Sequence, residues 1–228
     1  AGVPTRQASD DQPLSAHATV RDLLRIILIG RRVERLDETT AAGLLHSAFG
    51  GADPFAERRL RQELRRIAVA ADDFSPTADL LVEALADPGA IAVLPDEEWA
   101  APAKRLSALF EAARGPGGVS AVLWAVWEAS GMGERLRRRA LSSDRRAQRA
   151  DAELDAVIAL FDLAADYERK QPGAGVDVFC EHVLHQQLPG DFRSPTADVG
   201  DAVTLTTAHA AHGGQWDFVV VAGAQEGA

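Results

Sequence analysis

Val203-Thr-Leu-Thr-Thr-Ala-His-Ala-Ala-His-Gly-Gly-Gln-Trp-Asp-Phe-Val-Val-Val-Ala-Gly-Ala-Gln-Glu-Gly-Ala228 is where the pattern of this chain changes from helical to strand-like. Two apolar runs, 203–205 and 218–222, flank a polar connector that carries His209, His212, Gly213, Gly214 and Gln215. Short apolar runs bounded by turn residues read as buried strands, and a polar loop between them suits chemistry at the edge of a parallel sheet. Both runs are therefore expected to be strands.

Upstream of this tail nearly everything reads as helix, each segment opened by a cap signal and closed by Gly or Pro. Ser15 precedes a run with Val20, Leu23, Leu24, Ile27 and Leu28 at helical spacing, ending at Gly30. Asp53-Pro54 is a cap followed by proline at the first helical position, and Phe55, Leu60, Leu64 and Ile67 continue it. Ser75-Pro76 repeats that signal ahead of Leu80, Leu81 and Leu85. Further helices are expected over 99–114, 119–130 and 143–169, and a last one to residue 188 capped by Asp177. Residues 189–200 are dense in Pro, Gly, Asp and Ser and read as a loop between body and tail. The expected fold class is mainly α, with a helical body to about residue 200 and β-structure confined to the two ends.

At 228 residues and 46% hydrophobic content the chain can build a real core. The longest apolar candidate, 23–29, is broken by Arg25, which argues against a membrane span. The first residues lack the apolar stretch of a signal peptide, so a cytoplasmic location is expected. A single cysteine, Cys180, excludes an internal disulfide and a multi-cysteine zinc site.

The net charge of −10 argues against indiscriminate nucleic-acid binding, yet the charge is unevenly spread. Between residues 131 and 150 seven arginines, including Arg137, Arg138, Arg145 and Arg149, face only Glu134 and Asp144. Arg58, Arg59, Arg61, Arg65 and Arg66 form a second basic patch against Glu57 and Glu63. An acidic body with basic faces is the expectation, and those faces are either solvated helix surfaces or phosphate contacts.

The polar connector resembles the fifth conserved motif of superfamily 1 DNA helicases of the UvrD, Rep and PcrA group. There a strand runs into Thr-x-His-x-Ala-Lys-Gly-Leu-Glu-Phe/Trp and a second strand follows. The matching residues here are Thr207, His209, Ala211, His212, Gly213, Gly214, Gln215 and Trp216, and Gln225-Glu226-Gly227 matches the family's habitual ending. Near the front, Gly2-Val3-Pro4, a polar stretch to Pro13-Leu14 and a helix with Val20-Arg21-Asp22-Leu23-Leu24 are similar to the segment after the family's fourth motif.

The resemblance implies an edge of the RecA-like lobe 2A over 1–30, a helical 2B insertion over 31–200, and a return to lobe 2A over 201–228. It implies a piece of an ATP-dependent helicase that unwinds DNA in repair or recombination, with ATP and magnesium as the parent protein's cofactors. Single-stranded and duplex DNA would be its partners. Thr207, His209 and His212 would then lie on the DNA side of the loop and Gly213 and Gln215 on the nucleotide side, with Arg137, Arg138, Arg145 and Arg149 contacting duplex phosphates. His212 stands where the family usually has Lys, Gly214 where it has Leu, and Gln215 where it has Glu. These departures, with Gly50-Gly51-Ala52-Asp53 before an Arg-rich helix, point to an alternative: a helicase–nuclease subunit of AdnA or RecB type working beside a partner helicase or nuclease subunit. A third reading is a non-catalytic helical protein-interaction module. No Gly-x-x-x-x-Gly-Lys-Ser/Thr occurs in the chain. It is expected to bind no cofactor and hydrolyse no ATP alone, so no catalytic residue and no metal ligand are assigned.

Three further motifs invite chemistry, and each has a plainer reading. The run 91–98 imitates a magnesium-binding strand end, but Pro95 makes it a loop before a helix capped by Asp96. His182 and His185 near Cys180 read as an exposed pair on a helix whose buried face is Phe179 and Val183. Trp124 and Trp127 are expected in the core, since stacking on bases would need exposure.

Overall fold

The computed structural model describes residues 5–7, 13–142, 147–185, 203–206, 211 and 215–222. It is mostly helical, and the chain divides into a helical unit, Pro13–Leu188, and a second unit made of Ala1–Gln12 with Pro189–Ala228.

In the helical unit α1 (Ala18–Gly30), α2 (Glu38–His46), α3 (Pro54–Ala70), α4 (Thr77–Ala86) and α5 (Pro88–Ala92) are followed by α6 (Ala101–Ala113), α7 (Val119–Ser130), α8 (Met132–Ala140), α9 (Ala147–Lys170) and α10 (Val176–His185). The start signals act as the sequence indicates at α3, where the Asp53 carboxylate accepts from the Ala56 N–H at 2.7 Å and Pro54 opens the helix. The α7 bounds are those read from sequence. Three starts differ. Ser15 lies in a short 3-10 turn, Leu14–Ala16, and α1 opens after His17. Pro76 rather than Ser75 precedes α4, and the Ser75 N–H is donated to the Asp73 carboxylate in a local turn. Asp177 sits inside the first turn of α10, where its charge complements the helix dipole instead of capping it.

The helical unit is organised around α1. Val20, Leu23, Leu24, Ile26 and Ile27 are all fully buried, so the helix is apolar around most of its circumference. A helix of that kind is a central element, and α1 packs against α6, α7, α9 and α10. The break between the two compact units falls before Pro13, and α1 forms the middle of the helical unit's core. At the other end the break follows Leu188.

The C-termini of α1 and α6 meet closely. A Cβ on Gly30 would lie 2.7 Å from both the Ala113 Cβ and the Phe110 carbonyl oxygen. The Arg114 Nε donates to the Gly30 carbonyl at 2.9 Å, and the Arg31 guanidinium donates to the Ala113 carbonyl at 3.3 Å. Each helix therefore has a terminal carbonyl covered by the arginine that follows the other, which satisfies acceptors that have no partner inside the helix.

In the second unit β1 (Thr5–Gln7) and β2 (Val203–Leu205) pair in parallel, with Thr5 opposite Val203 and Gln7 opposite Leu205. Parallel neighbours need a long crossover, and here the whole helical unit is that crossover. The run 218–222, expected to be a strand, is irregular and exposed, with Phe218 at 85%. An apolar run becomes a strand only where a neighbour pairs its backbone, and among the described residues none does so. No helix among the described residues is long and apolar enough to cross a membrane.

Candidate nucleic-acid interface

Gly131 makes the basic face possible. Its left-handed backbone, φ 62°, ends α7 and starts α8 within one residue, a conformation that costs glycine least. The short helix that follows buries Met132 and Leu136 and turns Arg137, Arg138 and Arg139 to the surface. Arginines in a last helical turn are favoured by the helix dipole, so the sequence can hold them there without carboxylate partners.

Arg137 and Arg138 face one acid, Glu134, at 4.0 and 3.6 Å. All three side chains are largely exposed, so these pairs are weak and leave both guanidinium groups available. Arg149 is exposed in the first turn of α9, which packs along α8. The structure thus brings Arg137 and Arg138 together and puts Arg149 on the adjoining helix. Arg145, Thr207, His209, His212 and Gly213 lie outside the described residues. Gln215 is exposed in the second unit.

The other basic patch is largely consumed by the fold. Arg61 pairs with Glu57 at 2.8 Å and Glu38 at 3.1 Å, Arg66 with Glu63, and Arg65 donates to the Thr77 hydroxyl at 2.9 Å. Arg59 lies over the Trp99 ring, 6.0 Å from its centroid.

Sequence reasoning passed over Arg105, on α6, and gave Arg135 no role of its own. Arg105 donates to the Gly50 carbonyl at 3.0 Å, and Arg135 donates to the carbonyls of Ala48 at 2.9 Å and Ser130 at 2.7 Å. Burial, together with Arg105, Arg139 and Arg138 nearby, holds the Arg135 guanidinium below its ordinary pKa. No local signal in the sequence joins Arg105 to this group, because the link runs through a turn 55 residues away.

That turn, 47–52, is anchored by His46. Its Nδ1 meets the Ala52 carbonyl at 3.0 Å and its Nε2 the Glu57 carboxylate at 2.7 Å, and only the imidazolium donates to both. The Glu57 hydrogen bond raises the His46 pKa, while Glu57 itself, pushed up by burial, is brought below its usual value by bonds from His46 and Arg61. The stabilising contribution of His46 is therefore complete below about pH 6.5, its unfolded value, and is lost as pH rises through the higher folded pKa. An NMR titration should place the His46 midpoint above that of a free imidazole, and Glu57→Gln should lower it; a midpoint at or below the free value would contradict this.

Of the two tryptophans on α7, Trp127 is buried, but Trp124 is 55% exposed and packs edge-on against Phe161 at 5.9 Å. The expectation that both are core fails at Trp124: the buried face of α7 is Val119, Val122, Leu123, Val126 and Trp127, and Trp124 lies outside it, against Phe161 of α9. Exposed Asp155 and Asp162 on the Phe161 helix make that surface unfavourable for phosphates. Asp96 caps no helix: it pairs with Lys104 at 2.7 Å, while the residue before the 3-10 turn Glu98–Ala100 is Glu97, which accepts from the Trp99 indole at 2.6 Å. His182 and His185 are exposed, with Phe179 and Val183 buried. Cys180 is fully buried and its thiol is pushed up to about 12 by desolvation. Among the described residues no group of His, Cys, Asp and Glu is placed to hold a metal ion.

No protein-family model matches this chain, and no curated protein matches it.

Proposed function

We propose that this chain is a DNA-contacting helical insertion between neighbouring parallel strands of a nucleotide-driven motor. More particularly, it is the 2B-type portion of a superfamily 1 DNA helicase with strips of lobe 2A at its ends. The observation that carries this reading is the parallel pairing of β1 with β2 across the entire helical unit, the order that the fifth-motif resemblance implies. In this reading the chain contributes DNA contacts through Arg137, Arg138, Arg145 and Arg149, and ATP hydrolysis with magnesium belongs to the rest of the parent protein. Thr207, His209 and His212 face DNA, and Gly213 and Gln215 face nucleotide.

The second reading, a subunit of an AdnA- or RecB-like helicase–nuclease beside a partner motor or nuclease, is favoured by Gln215. An amide can bond a ribose hydroxyl but lacks the carboxylate's charge, and neutral hydrogen bonds are roughly half as strong as charge-assisted ones.

Replacing Arg137, Arg138, Arg145 and Arg149 together by Ala should weaken duplex binding at low salt. It should also flatten the salt dependence, by about 0.9 in log–log slope for each phosphate that is no longer neutralised. Stability should change by less than about 0.5 kcal/mol, since the described members of the set are exposed and weakly paired. Fluorescence anisotropy with a blunt duplex at several salt concentrations measures both quantities. Unchanged affinity and slope would remove the DNA-contact role from this face.

A further inference from the structure

The turn between α2 and α3 is unusually fixed for a surface connection. The Ser47 hydroxyl donates to the Leu44 carbonyl at 2.7 Å and accepts from the Phe49 N–H at 3.1 Å, while the Gly51 and Ala52 N–H groups close back onto Ser47 and Leu45 at 2.8 Å each. Phe49 is buried beneath it, Gly50 leaves no room for a Cβ against the Leu44 and Leu45 carbonyls, and Gly51 takes φ +70°. The Ala48 and Gly50 carbonyls are thereby held as fixed acceptors, and each receives an arginine from a different helix: Arg135 of α8 and Arg105 of α6.

A carbonyl orients a guanidinium without neutralising it. Arg105 and Arg135 are positioned by backbone oxygens alone, and Arg139 follows Arg135 by one helical turn on the same face. Glu134 is engaged by Arg137 and Arg138, so among the described residues no carboxylate pairs with Arg105, Arg135 or Arg139. Arg105, Arg139 and Arg138 all add positive charge around Arg135, and a bound anion would relieve that repulsion. Each fork also keeps N–H donors beyond those given to the carbonyls, in the planar geometry that suits phosphate oxygens.

We infer that Arg105, Arg135 and Arg139, set on the 47–52 turn, form a phosphate-binding cradle whose ligand is a phosphodiester of a nucleic-acid backbone. The cradle rests on the DNA-contact reading for the source of its phosphate and not for its existence.

Two probes separate these claims. Inorganic phosphate, compared with chloride at equal ionic strength, should raise the melting temperature of the chain by mass action. Arg139→Glu, which removes no hydrogen bond among the described residues, and Arg105→Gln, whose amide can still donate to Gly50, should both abolish that rise; Arg58→Glu, exposed on α3, should retain it. With a blunt DNA duplex at low salt, the two cradle variants should bind roughly tenfold more weakly, as expected when one charge-assisted hydrogen bond is removed, and Arg58→Glu much as the parent chain does. A phosphate-dependent rise that persists in both cradle variants overturns the cradle, while the four-arginine variant separately decides whether the α8 face meets DNA at all. Loss of the rise with duplex affinity intact overturns the nucleic-acid assignment and leaves free phosphate as the ligand.

Discussion

Phe179→Ala should lower the unfolding free energy by about 3–5 kcal/mol, the range for truncating a buried phenylalanine. Phe179 is fully buried, and its ring lies 5.2 Å from that of Tyr167 on α9. It belongs to a helix of 10 residues whose inward face is only Val176, Phe179, Cys180 and Val183, packed against α1. So short a helix has little stability of its own and is held by tertiary packing, to which Phe179 contributes the largest of its four buried side chains. Urea unfolding followed by circular dichroism measures the change as a shift of midpoint with an unaltered slope. A loss under about 1 kcal/mol would mean that α10 does not dock on α1 through Phe179.

Gly30→Ala should destabilise as well, although alanine is the better helix former by about 1 kcal/mol. The added methyl meets the Ala113 Cβ and the Phe110 carbonyl at 2.7 Å, and neither can rotate away. The two helices must part, which also stretches the bonds from Arg114 to Gly30 and from Arg31 to Ala113. Overpacking of this kind costs about 1–3 kcal/mol, so the clash outweighs the propensity gain. Ala113→Gly in the same chain removes one of the two obstructions and should recover part of the loss, a coupling that a double-mutant cycle reads directly. Additive effects of the two substitutions would show that the helices do not meet at this notch.

The helical body was legible where cap and periodicity agree locally, as at Asp53-Pro54 and over residues 119–130. It was obscured where the deciding partner is distant. In α2 the Asp37 cap is present, its carboxylate accepting from the Thr40 N–H at 2.7 Å, but Thr39, Thr40 and Gly43 are weak helix formers and the apolar pattern is short. α5 is too brief to show a period, and α8 buries only Met132 and Leu136 in an arginine-rich stretch. β1, Thr-Arg-Gln, carries no alternation at all and is a strand only because β2 pairs with it. The candidate interface divides the same way. Arginine density pointed to Arg137 and Arg138, whereas Arg105 joins the group only through the folded Gly50 turn. Trp124 shows that an apolar-looking helix face cannot be divided into inside and outside without its neighbours.

The pairing of Thr5–Gln7 with Val203–Leu205 fixes an order of assembly. Bringing these strands together from an extended chain means closing a loop of nearly two hundred residues for a ladder of three residue pairs. Such distant pairings return little of the entropy they consume, so they form slowly and late. The helices, rich in contacts between near neighbours in sequence, can condense first, and their compaction shortens the span the strands must bridge. The ladder is thus a product of helical folding rather than its nucleus, and its amides should be among the first to exchange with solvent hydrogen when the native state breathes.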